Sequence, residues 1–521
     1  MKMKKNIKIR IVTLVFGLFV FSGCADLDQE PLSLATPDNF WVSQPNAESA
    51  LAGCYGLLKN ALVSDANFLL WGEFGANTFM NSRSWIVGAV EDGNYHLMNG
   101  YYRPNTLNWR GFYRTANWAL AIEKHVNEMP DSSFKSLAEK NRIIGEAAFI
   151  RSLSYFYMAR IWGDVPIVDE VIETSDQLIK DGNVLTLPQQ NEKKVLDYSL
   201  AAANKSISLL EYSSPGTDRW AIQANKASAE ALKAHIALWY AARDNGNQQM
   251  VTESIAAATS VINNSNASLV DYVNEGVTGF NTMCLGKSKT GLFEINISSD
   301  TNESFRMSTG DNSHTGLTLN FPIFRFINAS GATPFIDPAY YGNTMMKATE
   351  RANDVRKTLF FYNIPAPGIP VPPADVFLMK YSHQSKDPNA TDAYAQFSES
   401  NILIFRLADI YLLRAEANMK SGNFSAAITD LNTIRSKANV PNYTGASSVT
   451  ALTKAIFDER AIELVGEGQA CFDRIRLNYY TGVNWMNSAR ISQKGNFWPI
   501  MPGVISINPV IVQPEFWKGK L

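Results

Sequence analysis

The chain has 521 residues, a formal net charge of −2, and a composition that is 46% hydrophobic and 18% charged. These values are typical of a globular protein that is long enough for a large core or for two lobes. They argue against nucleic acid as a partner, because the chain has no excess of basic residues.

The N-terminus predicts export and attachment to a lipid. Five basic side chains precede an apolar run from Ile11 to Phe21, and Ser22-Gly23-Cys24 follows. This pattern is typical of a bacterial lipoprotein signal peptide over residues 1–23, with Cys24 acylated as the first mature residue. The alternative is an ordinary secretory signal in which Cys24 is incidental. The apolar run is too short to span a membrane comfortably, so the lipid on Cys24 would be the only anchor.

Helices dominate the prediction for an N-terminal region over residues 24–263. Apolar residues recur there at helical spacing. The predicted helices cover about 48–59, 109–129, 135–162, 190–211, 219–242 and 248–263.

One stretch within this region, residues 64–108, lacks a helical period and is rich in glycine, asparagine and aromatic residues. Long loops of this kind are often functional. Aromatic rings can stack on the C–H faces of sugars, and polar side chains can bind sugar hydroxyl groups. The candidate ligand-binding residues of the stretch are Trp85, Tyr95, Tyr101, Tyr102, Asn81 and Arg83. The alternative is that the rings pack the loop onto the helices.

The C-terminal region, residues 264–521, begins with mixed signals. Residues 291–297 alternate like a short strand. A polar loop over 298–319 is a second candidate wall of a ligand site, with Asp311 and Asn312. A stretch with five prolines, from Ile364 to Pro373, must be irregular.

A helical hairpin over residues 405–438 follows. Gly422 can end its first helix and Asn423 can cap the second. The small residues Ala415 and Ala427 would let the two backbones approach closely. The hairpin is similar to a tetratricopeptide repeat, which needs other helices stacked on it to bury its faces. The predicted fold is therefore mainly α, a tetratricopeptide-like helical-repeat scaffold with a loop-rich lobe and a few short β-strands.

Catalytic signals are weak. Glu459, Glu463 and Glu467 recur four residues apart and could form a carboxylate pair for glycoside hydrolysis. Neighbouring arginines, however, would lower the pKa of these carboxyls, whereas a catalytic acid needs a raised pKa. This favours a structural charge network. The five histidines have no metal-binding spacing, and we predict no enzyme activity, no metal and no cofactor.

Cysteine usage predicts neither a disulfide framework nor a zinc site, because the cysteines after Cys24 are three in number and lack CxxC spacing. Cys54 and Cys471 lie among apolar residues and are predicted to be small core side chains.

Six segments, in order, resemble the SusD/RagB family of Bacteroidetes outer-membrane lipoproteins. They are FSGC at 21–24, GEAAFIRSLSYFYMARIWGDVPIV at 145–168, FRLADIYLLRAEA at 405–417, AAITDLNTIRSKA at 426–438, DERAIELVGEGQACFDRIR at 458–476 and NFWPIMPGVISINPVI at 496–511. The likeness covers essentially the whole mature chain.

The resemblance implies tetratricopeptide-like helix pairs with a loop-rich lobe packed against them. It implies a lipoprotein anchored in the outer membrane and facing the cell exterior. Its function would be to capture a nutrient glycan for a SusC-like TonB-dependent barrel. A peptide-binding RagB-like member is one alternative, and a structural helical-repeat lipoprotein of outer-membrane assembly is another. The long aromatic stretch disfavours the structural alternative, since an assembly scaffold has little need of it.

Overall fold

A computed structural model describes residues 40–64, 67–77, 79–80, 85–99, 104–180, 183–297, 306–307, 335–336, 349–362, 377–386 and 396–521. The predicted acylation site Cys24 lies outside these residues. So do six of the candidate ligand-binding residues, Asn81, Arg83, Tyr101, Tyr102, Asp311 and Asn312.

The described residues form sixteen α-helices. They are α1 (Gln44–Val63), α2 (Asn67–Gly72), α3 (Trp85–Glu91), α4 (Arg110–Glu128), α5 (Leu137–Trp162), α6 (Glu192–Leu209), α7 (Lys226–Arg243), α8 (Gln248–Asn264), α9 (Tyr272–Leu285), α10 (Arg356–Phe360), α11 (Leu407–Lys420), α12 (Phe424–Lys437), α13 (Val449–Glu463), α14 (Ala470–Leu477), α15 (Ser488–Ser492) and α16 (Pro502–Ile507).

The long helices pack in succession. Helix α4 contacts α1 and α5, α5 contacts α6, α6 contacts α7, and α7 contacts α8. Helix α8 then contacts α11, which also packs on α12 and α13. Each helix buries its apolar side against its neighbours, as in other helical repeats. The predicted tetratricopeptide-like scaffold is therefore confirmed.

The strands are short and lie mostly in the C-terminal half. They are β1 (Phe79–Met80), β2 (Val165–Pro166), β3 (Ile179–Lys180), β4 (Asn183–Val184), β5 (Gln189–Gln190), β6 (Gly291–Ile295), β7 (Arg306–Met307), β8 (Phe335–Ile336), β9 (Phe361–Tyr362), β10 (Phe377–Leu378), β11 (Gln384–Lys386), β12 (Gln396–Ser398) and β13 (Ile402–Arg406). The two five-residue strands, β6 and β13, pair antiparallel and are buried throughout.

The predicted hairpin forms, with one correction at its start. Phe405 and Arg406 belong to β13, because their backbones pair with β6, and the first helix begins at Leu407. Gly422 has the positive φ of +83° that lets the chain turn after α11. Asn423 caps α12 by accepting a hydrogen bond from the backbone of Ala426. Ala415 is fully buried, as expected where two helices approach closely.

The expectation that residues 64–108 lack helical structure is wrong for the part that the structure describes. That part holds helices α2 and α3, and 3-10 turns at Phe74–Ala76, Tyr95–Asn99 and Pro104–Leu107. All six residues of α2 are buried. A helical period cannot emerge in elements shorter than two turns, which explains why the sequence pattern missed them.

Apolar side chains from both halves of the chain form one large core. The thiols of Cys54 and Cys471 are free and buried within apolar surroundings, which confirms them as small core side chains. Within the described part of the chain, every helix is too short or too polar to cross a bilayer.

Candidate functional site

A surface cavity of about 290 Å³ lies between the end of α1 and the start of α4. We call it the α1–α4 cavity. Its lining includes Ser64, Asn67 and Trp71 from one end of the 64–108 stretch, and Asn105 and Asn108 from the other end. The cavity therefore forms where this stretch leaves the helical scaffold and rejoins it.

The floor of the cavity is rigid. Trp71 donates from Nε1 to the carbonyl oxygen of Thr106 over 3.0 Å, and the Thr106 hydroxyl donates to Oδ1 of Asn67 over 2.8 Å. The rings of Trp71 and Phe112 lie 5.6 Å apart. Because Asn67, Trp71 and Phe112 are all buried, these contacts order the floor before any ligand binds.

The wall contributed by α4 is cationic. Arg110 and Arg114 lie one helical turn apart, both line the cavity, and both are exposed. Neither forms an ion pair with any residue that the structure describes. Asn108, which precedes the N-cap residue Trp109, accepts a hydrogen bond over 2.9 Å from the backbone N–H of Arg110. The N-terminal part of α4 thus contributes two guanidinium groups to the cavity, that of Arg110 from its first turn and that of Arg114 from its second.

Three comparisons with known proteins indicate the same family. The SusD family model matches residues 371–517. SusD-like protein P38 of Formosa agariphila is 26% identical, with 98% of this chain and 99% of the relative covered. A solved SusD homologue from Bacteroides thetaiotaomicron superposes with a TM-score of 0.76 at 25% identity, over 91% of this chain and 99% of the homologue. The family model, the full-length relative and the solved homologue together support a SusD/RagB family protein.

A shorter match is to the starch-binding protein SusD of Bacteroides thetaiotaomicron, which is 29% identical over 24% of this chain and 23% of that protein. This set of matches confirms the resemblance drawn from the six sequence segments. It also supports a binding accessory protein rather than an enzyme.

The three spaced glutamates are part of a buried charge network. Glu459 binds Arg351 and Arg356 at 2.7 Å, and Glu463 binds Arg356 at 2.8 Å. Arg406 also binds Glu463, and pairs with Glu467 at 2.9 Å. The predicted charge network exists, but its guanidinium groups come from distant segments rather than from the neighbouring arginines.

The pKa values of this network disfavour catalysis by these glutamates. Burial alone would raise the pKa of Glu459, but Arg351 and Arg356 outweigh burial and lower it to about 2. Arg406 and Arg356 overcome burial in the same way and lower the pKa of Glu463 to about 2. A general acid needs a raised pKa and access to substrate, and these two carboxyls have neither.

Sequence reasoning missed one further buried carboxyl, Glu73. Burial raises its pKa to about 8, against the opposing effects of the hydrogen bond from the backbone N–H of Gly466 and of the charge on Lys380. The backbone N–H of Gly468 also donates to the Glu73 carboxylate over 3.2 Å. Its side chain is fully buried, so it ties α2 to the loop before α14 rather than facing a substrate. The sequence signal for this buried carboxyl was a single glutamate within an apolar run.

The candidate ligand-binding residues are mostly outside the described residues, and one of the two others requires a correction. Tyr95 is 2% exposed, and its ring stacks on Trp498 with centroids 4.1 Å apart and planes inclined by 3°. Tyr95 is therefore a core ring, and the prediction that it contacts a ligand is wrong. Trp85 begins α3, and its side chain is outside what the structure describes.

The polar lining of the α1–α4 cavity was not among the predicted site residues. Asn60 and the two arginines lie in helices predicted only as scaffold, and their side chains converge through the packing of α1 on α4. Asparagines occur at both ends of the 64–108 stretch, and they were the sequence signal that could have indicated the lining of this cavity.

Within the described residues, no three His, Cys, Asp or Glu side chains are placed to hold a metal ion.

Proposed function

We propose that this protein is a surface-exposed lipoprotein that binds a nutrient glycan and passes it to a SusC-like TonB-dependent barrel. The observation that carries the proposal is the α1–α4 cavity, which opens at both ends of the aromatic-rich stretch in a SusD family chain. Sugar hydroxyl groups need paired donors and acceptors, and the asparagine amides of the cavity offer both. The starch-binding relative supports a saccharide as the ligand class.

The membrane part of the proposal rests on the N-terminal sequence. Cys24 would carry the lipid, and the acidic residues that follow it would act as a tether that holds the domain at the cell exterior. A binding protein anchored outside a membrane that it cannot cross is useful only if a second protein imports the captured ligand. This is the reason for proposing a barrel partner.

The direct test is a binding screen of the full chain, solubilised in mild detergent, against panels of oligosaccharides and of peptides. We expect saturable binding to at least one glycan class, with no turnover of the glycan after long incubation. Binding to peptides alone would favour the RagB-like alternative. Hydrolysis of a bound glycan would contradict a purely binding role.

A second experiment tests the partner. Gentle detergent extraction followed by affinity purification should recover a large β-barrel together with the protein. Recovery of periplasmic assembly factors alone, without a barrel, would favour the structural alternative.

A further inference from the structure

The α1–α4 cavity has an unbalanced charge. Arg110 and Arg114 line it, and none of its other described lining residues is acidic. Two like charges one turn apart on a helix repel each other, and a cation in the first turn opposes the helix dipole. The pair is therefore unfavourable for α4 itself, and the described residues supply no carboxylate to compensate it.

The cavity is also lined by the side chain of a buried asparagine, Asn67. Asn67 is 2% exposed, and its Oδ1 accepts from the Thr106 hydroxyl. Its Nδ2 donor has no hydrogen-bond acceptor among the described residues, although Asn67 lines the cavity. Asn67 therefore adds a neutral polar side chain to the floor of the cavity, beside the two arginines.

We propose that the α1–α4 cavity binds the negatively charged group of an acidic saccharide, a uronic-acid carboxylate or a sulfate ester, through Arg110 and Arg114. The proposal rests on the glycan-binding function proposed above and narrows it to one ligand class. Guanidinium groups bind planar or tetrahedral oxyanions through paired N–H donors, and a neutral sugar lacks the negative charge that strengthens these hydrogen bonds. Asn67 lines the same cavity, and its amide can contribute to binding the same sugar.

The neutral polar lining distinguishes a saccharide from an acidic peptide. Asn60 and Asn105 carry amide donors and acceptors, which suits the many hydroxyl groups of a sugar. The amide of Asn108 is already engaged by the backbone of Arg110 and by Met501. A volume of about 290 Å³ is at the small end of the usual range for ligand pockets, roughly 300–1,000 Å³. This size favours a single charged sugar unit over a long stretch of polymer.

The test compares matched pairs of probes that differ only in charge. Oligogalacturonate is paired with its methyl ester, and sulfated dextran oligosaccharides are paired with unsulfated ones. Binding to the full chain in detergent is measured at low and high salt. We expect the acidic member of at least one pair to bind about tenfold or more tightly than its neutral partner, and this preference to weaken at high salt. The two pairs distinguish a carboxylate from a sulfate.

Two variants and a control assign the effect to the cavity. Replacing both arginines, R110Q with R114Q, should remove the preference for the acidic probe, with a loss of about tenfold or more in its affinity. Lys124→Gln makes a similar change of charge on an exposed residue of the same helix outside the cavity, and should leave binding unchanged. Asn67→Asp keeps the acceptor for Thr106 but adds a negative charge to the floor, so it should also weaken the acidic probe.

The possible outcomes separate the acidic-ligand inference from the glycan-binding proposal on which it rests. Equal binding of neutral and acidic glycans, or an unchanged preference in the double arginine variant, would overturn the acidic-ligand inference and leave the glycan-binding function standing. No binding of any glycan would overturn both. Arginine-dependent binding of an acidic peptide, with no glycan bound, would overturn the saccharide assignment and favour the RagB-like alternative.

Discussion

Arg406, at the end of β13, donates from Nη1 to Oε1 of Glu463 over 2.7 Å, and both side chains are 1% exposed. The contact joins the β6–β13 pair to the end of α13. Removal of one member of a buried ion pair leaves the other charged, buried and without compensation.

We expect Arg406→Leu to lower the free energy of unfolding by on the order of 3–5 kcal/mol, measured by urea denaturation. Lys518→Gln is the control, because Lys518 and its partner Glu515 have side chains that are 52% and 65% exposed. That variant should hardly move the urea midpoint, since exposed pairs contribute little. Equal effects of the two changes would show that the network does not stabilise the fold.

The same network predicts a loss of stability in acid. The folded-state pKa values of Glu459 and Glu463, about 2, lie below the ordinary value of 4.5. A depressed pKa contributes stability above the ordinary value, and that contribution is lost as the pH falls from about 4.5 towards 2. The urea midpoint of the wild type should therefore drop steeply between pH 5 and pH 3.

A charge-neutral variant tests whether these carboxyls cause the acid loss. Glu459→Gln should be less stable than the wild type at pH 6, but its midpoint should fall less between pH 5 and pH 3, because one titrating carboxyl is gone. Glu515→Gln, at an exposed position, should keep the wild-type slope. An unchanged slope in Glu459→Gln would refute the assignment.

Much of the helical scaffold could be predicted because its signals are local. Helix α5 was placed at 135–162 and is observed at Leu137–Trp162, where Ser136 caps its start and Gly163 follows its end. Periodic apolar residues, a capping hydroxyl and a glycine all lie within one helix length of each other. The turn at Gly422 could be predicted for the same reason, because its signal is also local.

What could not be predicted depends on contacts between distant segments. Phe405 and Arg406 continue an apolar helical pattern, and only the pairing with β6 makes them a strand. The partners of Glu459 come from Arg351 and Arg356, about a hundred residues earlier in the chain. In the candidate site, the arginines of α4 share a cavity with Asn60 of α1 only because α1 packs on α4.

The hairpin contact gives a prediction on packing. Ala415 is fully buried in α11, where α12 packs against it. Ala415→Leu should overpack this contact and cost on the order of 1–3 kcal/mol in the free energy of unfolding. Ala455→Leu on α13, at a half-buried position, is the milder comparison. A denaturation midpoint unchanged by the first substitution would mean that the helices can separate to accept the larger side chain.

The anchor prediction concerns Cys24. Cys24→Ala should prevent acylation and release the protein from the membrane fraction, since the lipid is the only proposed anchor. The folded domain should remain intact, with a wild-type thermal midpoint. Cell fractionation and metabolic labelling with a fatty acid measure the two effects. Retention of the variant in the membrane at the wild-type level would remove the lipoprotein interpretation.

Two aromatic residues of the 64–108 stretch should respond in opposite ways to truncation. Tyr95 is stacked on Trp498 in the core, so Tyr95→Ala should lower the free energy of unfolding by on the order of 3–5 kcal/mol. The affinity of the protein that remains folded should hardly change. Trp85 stays a predicted ligand ring, and Trp85→Ala should reduce affinity about ten- to a hundredfold by analogy with binding hot spots.

The paired measurement therefore uses both variants, with the thermal midpoint and the affinity for a bound oligosaccharide determined for each. The expected pattern is a large midpoint shift with little affinity change for Tyr95→Ala, and the reverse for Trp85→Ala. A large midpoint shift in Trp85→Ala would assign that ring to the core, and Tyr101 and Tyr102 would become the next candidates. A loss of affinity in folded Tyr95→Ala, at a temperature well below its midpoint, would show that the stack on Trp498 also shapes the ligand site, because a ring buried to 98% cannot itself contact a ligand.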